Sequence, residues 1–463
     1  MFAIPGIVGL VLLIYVRPQE FLGPLRSIPL LHVCLGLWVF GLIIDLKIGN
    51  VTWRKAPQLP LAVAFLLYAA LTILIADPSR AGKALTTLAV SVALYLTIAL
   101  AVQTFRALAL VAGSVLGTVL FVCAVGIHQG LSPFGCVVVD DSAPGDTASG
   151  EPDGRPCVTA RSCYEEAEEP GAEYLCEHIG LLGTTSIGRG RVRYRGVLQD
   201  PNELALAGGV GLPLAMAMGR RRERTKRILL VILSLVLVAC CAVLTRSRGG
   251  QLVFLAVMAV YFTKRFGLSG LALGGLLALP LLLLGGRGGE EAASSSVERI
   301  DCWAEALSMW RAHPLFGVGL GRFGQYHYMT AHNSYLLTLA ELGLPGMLLF
   351  TALIWLSAKI PLQVLRAFPA HGAEEAGSLV ARRWATALLA AFAGLAVGIF
   401  FLSFAYHYVL WIYLGLSGGL YAAVRTHAPE FRVRLSAFDW ALVAGVDLGI
   451  IVFVHLYTRL ALA

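Results

Sequence analysis

Residues 220–244 read RRRERTKRILLVILSLVLVACCAVL, in which six of the first eight residues are basic and the seventeen that follow are almost all apolar. A helix of this apolar length reaches roughly 25 Å, which is close to the hydrocarbon thickness of a bilayer. Lysine and arginine collect in the cytoplasmic loops of membrane proteins. The stretch therefore predicts a membrane-spanning helix that starts at the cytoplasmic face.

The rest of the chain has the same character. It contains 463 residues, of which 57% are hydrophobic and only 14% charged, with a mean hydropathy of +0.76. These values exclude an ordinary soluble protein and predict an all-α polytopic membrane protein. The apolar blocks predict spans at 2–16, 29–46, 59–76, 85–103, 106–127, 203–219, 228–244, 250–263, 268–285, 345–358, 384–405, 408–424 and 438–457. Because some blocks are short or almost fused, we expect twelve or thirteen transmembrane helices.

Counting spans outward from the basic run at 220–227 places the N-terminus in the cytoplasm and two long polar loops on the far side of the membrane. The first apolar block lacks a basic leader and a clear cleavage site, so we expect a span or an anchor there. The predicted organisation is N-terminal membrane helices at 1–127, a far-side loop with an acidic insertion at 128–202, central membrane helices at 203–285, a second far-side loop at 286–344 and C-terminal membrane helices at 345–463.

The first far-side loop carries an acidic insertion with four cysteines, which are Cys136, Cys157, Cys163 and Cys176. An even set of cysteines in an oxidising compartment predicts at least one disulfide. A metal site is the weaker alternative, because the spacings contain no C-x₂-C pair. The insertion holds eleven carboxylates between residues 140 and 177, which is typical of a surface insertion or a partly disordered flap. We assign it no chemistry.

Six arginines lie in two clusters at the predicted far-side membrane edge, where arginine is normally depleted. Arg246 and Arg248 occupy a tight hairpin between two spans. The other four occur at every second residue and would point the same way in an extended strand: Arg189, Arg191, Arg193 and Arg195. Guanidinium groups suit phosphate oxygens, so a bound anion is one reason for these clusters. The alternative is that they reach lipid headgroups or pair with loop carboxylates.

The second far-side loop ends with Ala331-His332-Asn333-Ser334-Tyr335-Leu336, directly before apolar sequence. Histidine can act as a neutral base near physiological pH, and Asn333 and Ser334 are both good helix N-caps. Loop histidines are more often solvated or bound to backbone, but a helix start here would disfavour the imidazolium and keep His332 available as a base. Earlier in this loop, residues 299–310 have the spacing of an amphipathic helix that His313-Pro314 ends. The glycines at 317, 319 and 321 suit a phosphate cradle or, more often, a turn.

Six short motifs follow one another along the chain: Arg193-x-x-Gly196 with Pro201-Asn202, Ser247-Arg248-Gly249, Arg299-x-x-x-Trp303, His313-Pro314-Leu315-x-Gly317-x-Gly319, His332-Asn333-Ser334-Tyr335-Leu336 and Glu341-x-Gly343-x-Pro345-Gly346. In this order they resemble the O-antigen ligase superfamily, which joins O-antigen ligases, related O-antigen polymerases and protein O-oligosaccharyltransferases. The resemblance covers about residues 190 to 350. The early spans and the acidic insertion match none of its motifs.

The resemblance implies a GT-C-like membrane fold and metal-independent transfer of a glycan from an undecaprenyl-diphosphate carrier at the periplasmic face of the bacterial inner membrane. By position, the diphosphate would be held by Arg193 and Arg248, with Arg246 as a further candidate. Arg195 stands directly before Gly196, so either Arg193 or Arg195 fills the family role. Breaking a sugar-phosphate bond develops charge on the diphosphate, and fixed arginines can stabilise that charge.

The resemblance also implies that His332 takes the proton of the acceptor hydroxyl, a role worth typically about 10² to 10⁴-fold in rate. By position, the supporting residues are Arg299, Asn333, Tyr335 and Glu341. No cofactor or metal is expected, because the sequence has no acidic cluster with metal-ligand spacing.

Three functions remain open from the sequence. A ligase would use lipid A core, or another lipid or protein, as its acceptor, whereas a polymerase would use another lipid-linked repeat unit. A lipid-linked oligosaccharide flippase would also need basic residues, but transport predicts an internal repeat and charges in a central cavity. Here the charges gather at one face and no repeat is visible, which favours an enzyme. The expected partners are the lipid-linked glycan, the acceptor and membrane lipids, with no nucleic acid.

Overall fold

The computed structural model describes residues 1–53, 56–139, 150–165, 171–188, 190–218, 223–284, 289–369 and 376–461. Each of the thirteen predicted apolar blocks coincides with a helix. Within the described ranges the α-helices are α1 Ile4–Tyr15, α2 Pro18–Phe21, α3 Gly23–Arg26, α4 Leu30–Lys47, α5 Leu59–Ala76, α6 Ala81–Ala101, α7 Phe105–Leu131, α8 Ala160–Glu165, α9 Pro201–Ala217, α10 Arg224–Leu244, α11 Arg248–Phe266, α12 Leu268–Leu284, α13 Gly289–Ala312, α14 Ser334–Ala367, α15 Ala376–Gly398, α16 Tyr408–His427 and α17 Ala437–Ala461.

Eight helices in the described part of the chain are long and apolar enough to cross a membrane, which are α4, α5, α6, α7, α10, α14, α15 and α17. The fold is that of an all-α, multi-pass membrane protein, as predicted. Fewer helices than the predicted twelve or thirteen meet the criteria of length and hydropathy. Helices α1, α9 and α12 are shorter, with 12, 17 and 17 residues, and α16 is buried from Val409 to Val424. A helix surrounded by protein needs close packing more than a lipid-facing surface.

The chain forms two compact units, each assembled from separate segments. The first unit comprises Met1–Ile7, Leu37–Ala112 and Gly288–Ala463. Its central helix is α14, which packs against α5, α13, α15, α16 and α17. The second unit comprises Val8–Gly36 and Gly113–Arg287, and its helix α9 packs against both α10 and α11.

Helix α14 begins well before the predicted block at 345–358. The side-chain oxygen of Asn333 accepts hydrogen bonds from the amides of Tyr335 at 3.0 Å and Leu336 at 3.1 Å, so Asn333 is the N-cap. Gly343, with φ of 69°, then kinks the helix in a conformation that favours glycine. The prediction that His313-Pro314 ends the preceding helix is confirmed, since α13 ends at Ala312.

The acidic insertion is more ordered than a flap over its described residues. Its strands β1 Phe134–Val139, β2 Gly150–Pro156 and β3 Tyr174–His178 form an antiparallel sheet in the order β2-β1-β3. We call residues 134–178 the disulfide module. Much of its acidic run, at 140–149 and 166–170, lies outside the described residues.

Two disulfides cross-link the disulfide module and confirm the prediction of at least one. They join Cys136 to Cys163 and Cys157 to Cys176. The sulfurs of three of these residues also lie close enough together to surround a metal ion. Metal ligation needs free thiolates, so the disulfides account for the cluster instead. A module this small buries little apolar surface, and cross-links compensate for that.

Candidate active site

The predicted site residues divide between the two units. The candidates for binding a diphosphate, Arg193, Arg195, Arg246 and Arg248, belong to the second unit. His332 and its predicted supporting residues belong to the first unit. Arg189, the first of the alternating arginines, lies outside the described residues.

Arg193 is held in place by backbone and side-chain partners and is only 5% exposed. Its Nε donates to the carbonyl of Thr185 at 3.0 Å, and its Nη2 donates to the Thr185 hydroxyl at 3.3 Å. Its backbone amide donates to the side chain of Gln129 at 2.9 Å. Burial lowers the pKa of Arg193, whereas the charges of Glu177 and Asp200 act in the opposite direction. The guanidinium is therefore a positioned cation and not a mobile surface group.

Glu177 is a site residue that the sequence reasoning missed. It lies on β3, beside the disulfide-bonded Cys176, and is only 4% exposed. Its Oε2 accepts hydrogen bonds from the Ser186 hydroxyl and from the Gly190 amide. The signal in the sequence was its position in the strand-like stretch Tyr174–His178, apart from the acidic run before it. The disulfide module thus supplies a buried anion that supports Arg193.

We call residues 190–196 the basic loop. Arg191 connects this loop to the hairpin that carries Arg246 and Arg248. Its Nε donates to the carbonyl of Thr245 at 3.1 Å. Asn202 accepts a hydrogen bond from the Ser247 hydroxyl at 2.7 Å and lies 3.5 Å from Arg191 Nη2. Ser247 in turn caps α11 through the amide of Gly250 at 3.0 Å. These bonds fix the hairpin, whose Arg246 and Arg248 are themselves exposed.

The alternating arginines do not share one direction, so that prediction is wrong for Arg191. The chain turns here, because the Val192 amide bonds to the carbonyl of Leu244 and the Tyr194 amide bonds to the carbonyl of Leu198. Arg193 and Arg195 both line one cavity of about 750 Å³, whereas Arg191 bonds to the hairpin. Arg195 also donates through its Nη2 to the carbonyl of Leu182.

His332 lies immediately before the N-cap of α14 and is partly exposed. Its φ of 45° is in the left-handed region, which is uncommon for a residue with a side chain. The next two residues are buried and fixed. Ser334 donates through its hydroxyl to the carbonyl of Leu402 at 2.6 Å and accepts from the amide of Phe404 at 2.7 Å. The position of His332 is therefore set by bonds on its C-terminal side.

The turn at residues 399–407 forms hydrogen bonds with the start of α14. The predicted span at 384–405 is too long, because α15 ends at Gly398 and the chain then turns. The Ser334 amide donates to the carbonyl of Ile399 at 2.8 Å, which ties α14 to the end of α15. Apolar composition did not reveal this break, since the residues in the turn are themselves mostly apolar.

Residues 317–323, which we call the glycine loop, pack around Glu341. The phosphate cradle suggested for the glycines at 317, 319 and 321 is therefore wrong. The amide of Phe323 donates to Glu341 Oε1 at 3.0 Å. The amide of Gly319 donates to the backbone carbonyl of Glu341 at 2.9 Å, and the amide of Gly317 donates to the carbonyl of His313. These amide groups thus bond to acceptors of the chain itself.

Tyr335 and Arg299 differ in their surroundings. Tyr335 is 6% exposed and packs edge-on against Phe350, with ring centroids 5.8 Å apart. Arg299 lies on α13 and is partly buried, one turn before Trp303, whose ring packs edge-on against Phe400 at 5.6 Å. Tyr335 is therefore part of the buried core next to the start of α14.

Two other histidines near this region are already engaged in local structure. His327 Nδ1 accepts from the amide of Met329 at 3.1 Å and lies 3.7 Å from the sulfur of Cys302. His407 caps α16 through the amide of Val409 at 3.2 Å. Its ring also stacks on Phe404 with centroids 3.8 Å apart.

Comparison with known families supports the motif pattern. Residues 233–351 match the family model described as O-Antigen ligase. This match supports the O-antigen ligase superfamily for the central part of the chain. The segment that matches the ligase family contains the hairpin with Arg246 and Arg248, and it also contains His332. No curated protein matches the chain significantly.

The remaining candidate site residues lie outside the segment that matches the O-antigen ligase family. Arg193 and Arg195 precede it, as does the disulfide module with Glu177. Tyr406, which follows the segment, is half-buried near Glu341. Burial and the charge of Glu341 raise the pKa of Tyr406, so its hydroxyl remains protonated and can donate.

Proposed function

We propose that this protein transfers a glycan from an undecaprenyl-diphosphate carrier to an acceptor hydroxyl at the periplasmic face of the bacterial inner membrane. The observation that carries the proposal is the position of His332. It is a partly exposed imidazole held just before a capped helix start, inside the segment that matches the O-antigen ligase family. The match of this segment supports ligase-like or polymerase-like function.

In the proposed reaction, an acceptor oxygen attacks the anomeric carbon of the donor sugar while the bond from that carbon to the diphosphate oxygen breaks. The diphosphate leaves with the bonding electrons and remains attached to the lipid. His332 takes the proton of the attacking hydroxyl, as a general base within hydrogen-bond reach would. The helix start at Asn333 favours a neutral imidazole, which is the form able to accept that proton.

The diphosphate is proposed to bind Arg193, Arg195, Arg246 and Arg248. Fixed cations stabilise the charge that develops on a leaving diphosphate, and they do so without reorganising during the reaction. Arg193 meets this requirement best, because Thr185 holds its guanidinium and Glu177 supports its charge. On this proposal the transfer is metal-independent.

The supporting residues have separate proposed roles. Asn333 positions His332 by capping α14, and Tyr335 packs behind that cap. Glu341 holds the glycine loop against α14. Arg299 is proposed to contribute a further cation from α13.

The preferred acceptor is lipid A core or another glycan acceptor of the cell surface. The alternative is a polymerase, which would use the same base and the same arginines but take a second lipid-linked repeat unit as acceptor. The products distinguish the two. A ligase makes capped core, whereas a polymerase lengthens the lipid-linked chain.

The test is product formation by purified protein in nanodiscs, given a lipid-linked oligosaccharide donor together with either lipid A core or more lipid-linked donor. His332→Ala should lose about 10² to 10⁴-fold in turnover, while binding of undecaprenyl diphosphate stays near that of the unchanged protein. His32→Ala is the control, because His32 is an exposed histidine that lies outside the six motifs. Normal turnover by His332→Ala would overturn the base assignment.

A further inference from the structure

The cavity that Arg193 and Arg195 line is also lined by two segments that have no role in the proposed function so far. One is the N-terminal turn, from Arg17 to Arg26, and the other is the start of strand β2, at residues 150–152. Its volume of about 750 Å³ is within the range of sites that enclose a sizeable ligand. The cavity therefore extends beyond the motifs of the ligase family.

The N-terminal turn is fixed against the basic loop by specific contacts. Tyr194 donates through its hydroxyl to the carbonyl of Val16 at 2.8 Å. Burial raises the pKa of Tyr194 to about 12, which keeps that hydroxyl protonated. Arg17 forms an ion pair with Glu20 at 2.6 Å and lies directly on Gly196. A Cβ atom at Gly196 would lie 2.0 Å from Arg17 Nε, so only glycine permits this approach.

The backbone of the turn is strained at Arg17. Among the described residues, the non-glycine residues with left-handed φ are Arg17, Leu182, Arg246 and His332. Arg246 and His332 are proposed site residues, and both Arg17 and Leu182 line the cavity. Such conformations cost on the order of 1–3 kcal/mol each and concentrate at functional sites. Arg17 therefore shares a strained, left-handed backbone with Arg246 and His332, which are proposed site residues.

The charges of the cavity lining match a doubly charged anion. Four arginines line it, Arg17, Arg26, Arg193 and Arg195, together with two carboxylates, Glu20 and Glu151. The sum is four positive charges less two negative charges, a net charge of +2. A diphosphate that links a sugar to a lipid carries about two negative charges.

We infer that Arg17 and Arg26 are further donor-binding residues, which bind the diphosphate of the lipid carrier together with Arg193 and Arg195. This inference rests on the proposed function. It assigns a ligand to the N-terminal turn, and it makes strand β2 a wall of the same donor site. Guanidinium groups are suited to this role because they can donate two parallel hydrogen bonds to phosphate oxygens.

The experiment measures binding of undecaprenyl diphosphate to the full-length protein in phosphatidylcholine nanodiscs. Loss of a charge-assisted hydrogen bond predicts about ten- to hundredfold weaker binding for Arg17→Gln and for Arg26→Gln. Arg265→Gln is the control, because Arg265 is an exposed arginine at the end of α11 in the same unit, and it should stay within about twofold. Arg26 is exposed, so its variant tests the inference even if Arg17→Gln fails to fold.

Two outcomes would overturn the inference. One is unchanged affinity in every Arg17 and Arg26 variant that folds. The other is that the unchanged protein and its variants bind undecaprenyl diphosphate with equal affinity once phosphatidylglycerol is added to the nanodiscs. The arginines would then be binding anionic lipid headgroups. Glycan transfer, measured in parallel, separates this inference from the proposed function. Arginine-dependent binding without any transfer would refute the proposed function alone, whereas normal transfer and binding by the variants would refute the inference alone.

Discussion

Replacing Arg193 with lysine should weaken donor binding although the positive charge is kept. Arg193 donates two hydrogen bonds to Thr185, at 3.0 and 3.3 Å, from a site that is 5% exposed. A lysine ammonium lacks the planar fork that makes both bonds while facing the cavity. Loss of one such bond from a charged group costs about 1.5–3 kcal/mol, which corresponds to about ten- to hundredfold in affinity.

The assay is binding of undecaprenyl diphosphate to Arg193→Lys in nanodiscs, with membrane abundance and thermal stability matched. Thr185→Val provides a graded comparison, because it removes the 3.3 Å acceptor and keeps the carbonyl acceptor at 3.0 Å. It should weaken binding by about tenfold at most, in line with one ordinary hydrogen bond. Arg265→Lys, at an exposed position, should have little effect. Equal affinity of all three variants would refute the reasoning and leave Arg193 as a structural cation.

Three further predictions concern the supporting structure. Glu177→Gln should lower the free energy of unfolding by about 1 kcal/mol and weaken donor binding, because a neutral amide replaces the charged acceptor near Arg193. The control is Glu165→Gln, at an exposed carboxylate of the same module, and an equal effect there would contradict this prediction. Asn333→Ala should lower the free energy of unfolding by about 1 kcal/mol through loss of the cap, and it should reduce turnover about fivefold. Asn333→Ser, which keeps a capping side chain, should restore most of the turnover. Unaltered turnover in Asn333→Ala would show that the cap is not needed for catalysis. Non-reducing peptide mapping should find the disulfides Cys136–Cys163 and Cys157–Cys176, each worth about 3–4 kcal/mol by loop length. Any other pairing would contradict the cross-links of the disulfide module.

The sequence predicts the helices well because a membrane imposes one pattern on them. Every span needs a long apolar run, and backbone groups within the bilayer must be paired inside the helix. The start of α14 was also within reach, since Asn333 is a residue type that caps helices. Its full length was not, because the kinked junction at Gly343 joins two helical segments across a break in the apolar pattern.

The disulfide module was harder to predict because its strand β2 lacks the usual signals. Strand β2 reads GEPDGRP, with glycine, proline and charged residues in place of β-branched or aromatic ones. Pairing with β1 and two cross-links hold this segment in a sheet against its local preference. The role of Glu177 depends on the same fold, since its contacts with Ser186 and Gly190 exist only once β3 is in place.

The glycine loop shows why a motif alone cannot identify its anion. Backbone amides bond to whatever acceptor lies nearest, and the amides of Gly317 and Gly319, both with positive φ, donate to the carbonyls of His313 and Glu341. Glu341 is tethered to the same unit by α14, so its effective concentration at the loop exceeds that of a free ligand. A phosphate would have to displace this carboxylate and leave it buried without its partners, which is costly. A Cβ atom at Gly317 would also lie 2.3 Å from the Glu341 carbonyl carbon, so the glycine is needed for this close contact with α14. The glycines and Glu341 therefore act as one structural unit that fixes the loop to the helix that begins directly after His332.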